Sequence, residues 1–296
     1  MVWVAVRPRF RKFHEDLMLT SDHVDDGLTK ARGIAGSLQR SYYPDATGNP
    51  PAFLVGSWGK KTQVRPPNDV DMMFELPAEV HARISQRTGN VQSALLQEVR
   101  QALGTTYPNT VMRGDGQVVQ VQFNTLMIEV VPVFRLQSGQ FWMPDTNNGG
   151  RWKPVDPNAE LNDVDALDRV CNGNVRALCQ MMKLWKREQN VPLKSFQIEL
   201  LVQEFMTSYV NRQHDYYWYD WFVRDFFRFL ISKAGGYVFV PGTKEAIALG
   251  TDWKYRAERA YEVALSACGW EHADYDVTAG QEWQKVFGSR IPIKVI

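Results

Sequence analysis

Two carboxylates one residue apart, Asp69 and Asp71, open the segment Asp69-Val70-Asp71-Met72-Met73-Phe74. Read as a strand, its period of two puts both acids on one face and turns Val70 to the other. Like charges at that spacing repel, so either one carboxyl keeps a proton at neutral pH or a cation sits beside both. A third acid, Glu129, stands alone inside the apolar run Leu126-Met127-Ile128-Glu129-Val130-Val131-Pro132-Val133, where an unpartnered charge is expensive. A strand bringing Glu129 alongside Asp69 and Asp71 would collect three oxygen ligands. Such a set suits Mg²⁺, which keeps several waters and binds substrate phosphates. Two such ions support an in-line phosphoryl displacement, one acidifying an attacking hydroxyl and the other neutralising a departing pyrophosphate.

Upstream lies Gly56-Ser57-Trp58-Gly59-Lys60-Lys61-Thr62, directly after the apolar Phe53-Leu54-Val55. Gly56 and Ser57 are read as a tight turn whose backbone N–H groups and hydroxyl can hold phosphate oxygens. Lys60, Lys61 and Arg65 add positive charge nearby, although each of these side chains is more commonly a solvated surface group. Asn68-Asp69 after Pro66-Pro67 also fits an Asx-capped turn. Order, spacing and strand context together favour the site over the turn.

These residues need elements to carry them. Residues 9 to 44 have helical spacing, broken near Thr20-Ser21-Asp22, which caps a second, longer helix running to Tyr43. From Pro51 to about Trp142 short β-type runs surround one amphipathic helix, roughly Ala78 to Leu103, an α+β core. The turn-rich stretch from Pro144 to Trp152, ending at Asp156-Pro157, reads as the passage to a second lobe. The division is therefore expected as 1–160 and 161–296. Beyond it the pattern gives helices at about 162–189, 195–212, 216–234, 252–268 and 278–287. The aromatic stretch Tyr216 to Phe222, continuing to Phe226-Phe227, is read as core packing rather than a base-stacking platform.

The Gly-Ser turn, the Asp-x-Asp strand and the later acid resemble the signature of the polymerase β-like nucleotidyltransferase superfamily. Within it the chain is most similar to the bacterial CD-NTases of CBASS anti-phage defence, which share a fold with cyclic GMP-AMP synthase and oligoadenylate synthase. The resemblance covers nearly the whole chain. It implies a two-lobed α+β fold, with a mixed-sheet catalytic core and a helical C-terminal lobe braced by a long N-terminal helix. It implies catalytic and metal-binding roles for Asp69, Asp71 and Glu129, with two Mg²⁺ ions that Mn²⁺ can replace. Gly56, Ser57, Lys183 in Met182-Lys183-Leu184-Trp185-Lys186, Ser195 and Phe196 would hold the nucleotides, Phe196 by stacking on a base. Many relatives carry Asp where this chain has Glu129, which keeps the charge on a longer arm. Likeness to clade G, whose members use ATP and GTP, implies a cyclic di- or oligonucleotide second messenger, cyclic GMP-AMP foremost and with a 3′,2′ linkage as one form. That product would act on a separate effector protein.

Composition bounds the alternatives. The 296 residues carry 34 Lys and Arg against 33 Asp and Glu, a net charge of +1, so no global field draws the chain to duplex nucleic acid. This weighs against the rival of a linear polymerising enzyme like oligoadenylate synthase or a terminal adenylyltransferase, which needs an RNA surface. The carboxylates weigh against a non-catalytic nucleotide-binding protein. Cys171, Cys179 and Cys268 lack CxxC spacing and, with no signal peptide, suggest structural thiols in a reducing cytoplasm. No apolar run reaches the roughly twenty residues that span a bilayer. The Ile293-Lys294-Val295-Ile296 end offers no small residue for conjugation to a partner.

Overall fold

Thr20 starts the second helix of the chain, three residues after the first one ends. Its hydroxyl accepts from the His23 N–H while the His23 ring accepts from the Thr20 N–H, closing a capping box between α1 (Val6–Leu17) and α2 (Ser21–Tyr42). These helices belong to a computed structural model describing residues 4–295. The chain divides into two units, and α1 and α2 fall on opposite sides of the division. One unit holds residues 4–18, 62–65 and 162–295; the other holds 19–61 and 66–161. The chain crosses from the sheet unit to the helical unit after Leu161, and residues 4–18 and 62–65 fall with the helical unit. The place of α1 has a physical cause: Val6, Phe10, Phe13 and Leu17 are fully buried in the core of the helical unit.

In the sheet unit, β1 (Ala52–Leu54), β2 (Asp69–Glu75), β5 (Met127–Arg135), β4 (Val118–Gln122) and β3 (Val111–Asp115) lie side by side in that order. β2 and β5 run parallel, and the other neighbours in this row are antiparallel. β6 (Phe141–Asp145) pairs with the end of β5, and β7 (Arg151–Val155) pairs with β6. One face of the sheet buries Val70, Met72, Ile128, Val130, Val119 and Val121 with residues of α2 and of α5 (Val91–Gly104). The alternation in β2 and β5 thus leaves Asp69, Asp71 and Glu129 on the opposite face.

Two expectations change here. The single helix from Ala78 to Leu103 is two, α4 (Ala78–Ile84) and α5, because Gly89 turns left-handed at φ +83° and Asn90 caps α5 by accepting from the Ser93 N–H at 2.9 Å. The stretch from Pro144 to Trp152 is a hairpin, not a passage between lobes. Asp145 closes it from β6 by accepting from the Asn147 N–H and from Arg151 Nε at 2.9 Å.

The helical unit contains α6 (Pro157–Val170, all but its first turn), α7 (Asn174–Glu188), α8 (Ser195–Ser208), α9 (Tyr219–Ser232), α10 (Lys254–His272) and α11 (Asp276–Phe287). The helix expected over 162–189 breaks where Asn172 and Gly173 both take positive φ. A small hairpin, β8 (Tyr237–Phe239) with β9 (Ala246–Ala248), was not anticipated. Tyr219, Phe222, Phe226 and Phe227 pack in the core, as read for that aromatic stretch, and all three cysteines are buried free thiols. Among the described residues no helix is long and apolar enough to cross a membrane.

Candidate active site

Parallel pairing of β2 and β5 sets Asp71 opposite Glu129 and Asp69 opposite Met127. Strands lie about 4.8 Å apart and alternate residues share a face, so the three carboxylates occupy neighbouring positions on one patch of sheet. All three are half-buried. Burial foremost, with the nearby charge of Asp69, pushes the Glu129 carboxyl above its ordinary range; hydrogen bonds with Gln120 and Asp71 work against that rise.

The donor set fits a hard divalent cation. Three carboxylates on adjacent strand positions repel one another unless positive charge enters, and oxygen is the ligand such an ion prefers. Among the described residues no three acidic, His or Cys side chains are drawn together closely enough to hold an ion as they stand. Asp71 and Glu129 are already adjacent, and Asp69 is one pleat away.

The Gly-Ser segment is built around Asp71. The Val55 N–H donates to the Asp71 carbonyl at 3.0 Å, which fastens the end of β1 to β2. Gly56 follows at φ +55° and begins the one-turn α3 (Gly56–Lys60), closed by Lys61 in the left-handed region. A Cβ on Gly56 would stand 2.0 Å from Asp71 Oδ2. Only glycine lets the backbone approach the carboxylate this closely. Trp58 buries its ring and donates from Nε1 to the Asp69 carbonyl at 2.7 Å, so α3 grips β2 at both acids.

Of the flanking cations, Lys60 departs from its surface reading. Lys60 is only 2% exposed and pairs with Glu160 at 3.2 Å. Lys61 is exposed, and Arg65, in the helical unit, reaches Asp16 at 3.5 Å.

In the helical unit Lys183 projects from α7 with its side chain 10% exposed. Its Nζ donates to the Thr62 carbonyl at 3.0 Å and the Thr62 hydroxyl at 2.9 Å, and it pairs with the buried Glu199 on α8. An ammonium has three donors. A phosphate reaching Lys183 must therefore exchange with one of these bonds. Ser195 is exposed at the first position of α8, and Phe196 beside it is half-buried against the helical core. Sequence reasoning passed over Thr62 and Glu199, and Gln120 as well. The signal for Glu199 was an acid inside the apolar stretch Ile198 to Val202, the same signal that revealed Glu129.

The profile of the Second Messenger Oligonucleotide or Dinucleotide Synthetase domain matches residues 4–167. A cyclic AMP-AMP-AMP synthase of an Acinetobacter species is 24% identical over 255 residues, covering 81% of this chain and 72% of the relative. A probable cyclic nucleotide synthase of Bacillus cereus is 19% identical over 273 residues, covering 80% and 81%. Among solved structures, the GTP-bound dinucleotide cyclase DncV of Vibrio cholerae superposes with a TM-score of 0.71 at 16% identity, covering 97% of this chain and 96% of that one. The CdnC of Escherichia coli MS115-1 with ATP gives 0.69 at 20% identity, covering 98% and 99%.

Proposed function

The chain belongs to the Second Messenger Oligonucleotide or Dinucleotide Synthetase family, the bacterial CD-NTases, and on that premise we propose that it joins ATP and GTP into cyclic GMP-AMP with a 3′,2′ linkage. It is a nucleotidyltransferase that makes a cyclic nucleotide from nucleoside triphosphates, in a family that uses divalent metal ions. The product would act on a separate effector protein in anti-phage defence.

The observation that supports metal-dependent nucleotidyl transfer is the register of β2 on β5, with Asp71 opposite Glu129 and Asp69 on the same face. Asp69, Asp71 and Glu129 would hold two Mg²⁺ ions, or Mn²⁺ in their place. Ions held by these residues would supply Lewis acidity to the acceptor hydroxyl and positive charge to the leaving pyrophosphate. Glu129 would also orient that hydroxyl and take its proton. Gly56 and Ser57 present backbone and hydroxyl donors to the donor phosphates. Lys183 and Ser195 contribute further donors to the triphosphate, and the Phe196 ring stacks on a base. Closing the ring needs two bonds, so the linear intermediate turns over before the second transfer.

The similarity to a cyclic AMP-AMP-AMP synthase favours a second reading, a cyclic trinucleotide. One experiment separates them. Purified protein with Mg²⁺ is given ATP, GTP or both, and phosphatase-treated products are resolved by chromatography and mass. A phosphatase-resistant dinucleotide requiring both substrates supports the proposal. A resistant trimer establishes the second reading, and a phosphatase-sensitive ladder overturns both in favour of linear polymerisation. Asp69→Ala with Asp71→Ala should abolish pyrophosphate release with the fold intact by circular dichroism.

A further inference from the structure

The sheet carries one continuous polar row through the acid patch. In register across β3, β4, β5 and β2 stand Arg113, Gln120, Glu129 and Asp71. Arg113 Nε donates to Gln120 Oε1 at 2.6 Å, and Gln120 Nε2 donates to Glu129 Oε1 at 2.8 Å. We propose that Gln120 is a positioning residue for Glu129, with Arg113 setting the direction of its amide; the inference rests on the metal-binding role proposed above for Glu129.

Direction is the central point. A guanidinium only donates, so the amide oxygen of Gln120 must turn towards Arg113 and its NH₂ towards β5. Turned the other way, an amide oxygen would face a carboxylate oxygen. Arg113 thus fixes which hydrogen bond Glu129 receives without touching Glu129.

An uncharged intermediary also suits the chemistry. Arginine in direct contact with Glu129 would form a bidentate ion pair and compete with a cation for both oxygens. The amide engages one oxygen, holds the rotamer and leaves the negative charge in place. Hydrogen-bond partners of this kind, one step behind a ligand, tune metal sites strongly. Arg113 itself has a 72%-exposed side chain, so the row does not serve to bury a charge.

The test uses the full chain and four variants, Gln120→Met, Arg113→Met, their double, and Asp69→Ala with Asp71→Ala. For each, kcat and the triphosphate KM are measured with Mg²⁺. Mn²⁺ affinity is followed by the electron paramagnetic resonance of free Mn²⁺, and melting temperature checks the fold. Gln120→Met is expected to lower kcat and Mn²⁺ affinity about 10- to 100-fold with KM changed less than about twofold. Arg113→Met should cost less, and the double should match Gln120→Met alone, because Arg113 acts only through the amide. If Gln120→Met leaves kcat and Mn²⁺ affinity within about twofold while the double Asp variant abolishes Mn²⁺ binding, the positioning role is overturned and the metal site stands. Multiplying effects of Arg113→Met and Gln120→Met would equally overturn it. Undiminished Mn²⁺ binding by the double Asp variant would instead refute the metal assignment.

Discussion

Gly56 is where a single missing carbon decides the geometry of the acid patch. Its positive φ and the 2.0 Å approach of Asp71 to a hypothetical Cβ act together. Gly56→Ala would strain the backbone and push the Asp71 carboxylate aside. An off-region residue alone costs on the order of 1–3 kcal/mol. We expect a melting temperature lower by several degrees and turnover reduced at least about tenfold, measured by calorimetry and pyrophosphate release. Full activity in a folded alanine variant would show that Asp71 tolerates displacement. Lys183 gives a second prediction at this scale. A hydrogen bond to a charged group is worth roughly 1.5–3 kcal/mol, so Lys183→Gln should raise the triphosphate KM about tenfold or more. Michaelis kinetics with a parallel melting curve separates this from loss of the Glu199 pair.

Among the elements, α1 shows how a helix is assigned to a unit by what it buries. Arg9, with no exposed surface, donates to Glu271 on α10 at 2.7 Å and to Asp276 on α11 at 2.6 Å. It also donates to the carbonyls of Pro292 and Ile293, which ties down the end of the chain. Removing one member of a buried ion network strands the others, at a cost of about 3–5 kcal/mol. Arg9→Met should therefore destabilise the helical unit by that order in denaturant unfolding, whereas the exposed Arg7→Met should change little. Such long-range pairing was invisible in the amphipathic spacing of residues 9 to 44. The strand bearing Asp69 and Asp71 was legible because its alternation is local. The breaks at Gly89 and Asn172-Gly173 were missed because helical periodicity continued across them, although left-handed residues interrupt the backbone.

At the level of the whole molecule, folding stability should carry a pH signature from Asp220. Burial pushes its carboxyl up to about 7, with the charge of Glu271 adding to the effect, and one oxygen has no hydrogen-bond partner. The folded form therefore holds a proton that the unfolded chain releases near its ordinary value of about 3.9. Below both values the group is neutral in each state and costs nothing. Between about 4 and about 7 the folded state binds more protons, so stability falls as pH rises, by at most on the order of 4 kcal/mol in all. Asp220→Asn should flatten this slope, melting near wild type at about pH 4 and progressively higher towards pH 8. Equal slopes in both proteins would assign the effect elsewhere.

What the amino-acid order determined alone was chemistry carried by local pattern: the period-two acids, the lone Glu129 in an apolar run, the glycine before Ser57 and the cap at Thr20. Each follows from the solvation cost or backbone freedom of a few consecutive residues. Only the tertiary structure decided the partners. It set Asp71 against Glu129 through parallel pairing, ran Arg113 and Gln120 into the same row, buried Lys60 against Glu160 and joined Lys183 to Glu199. These contacts link residues far apart in sequence, and no local pattern specifies which long-range pairing will satisfy a buried charge.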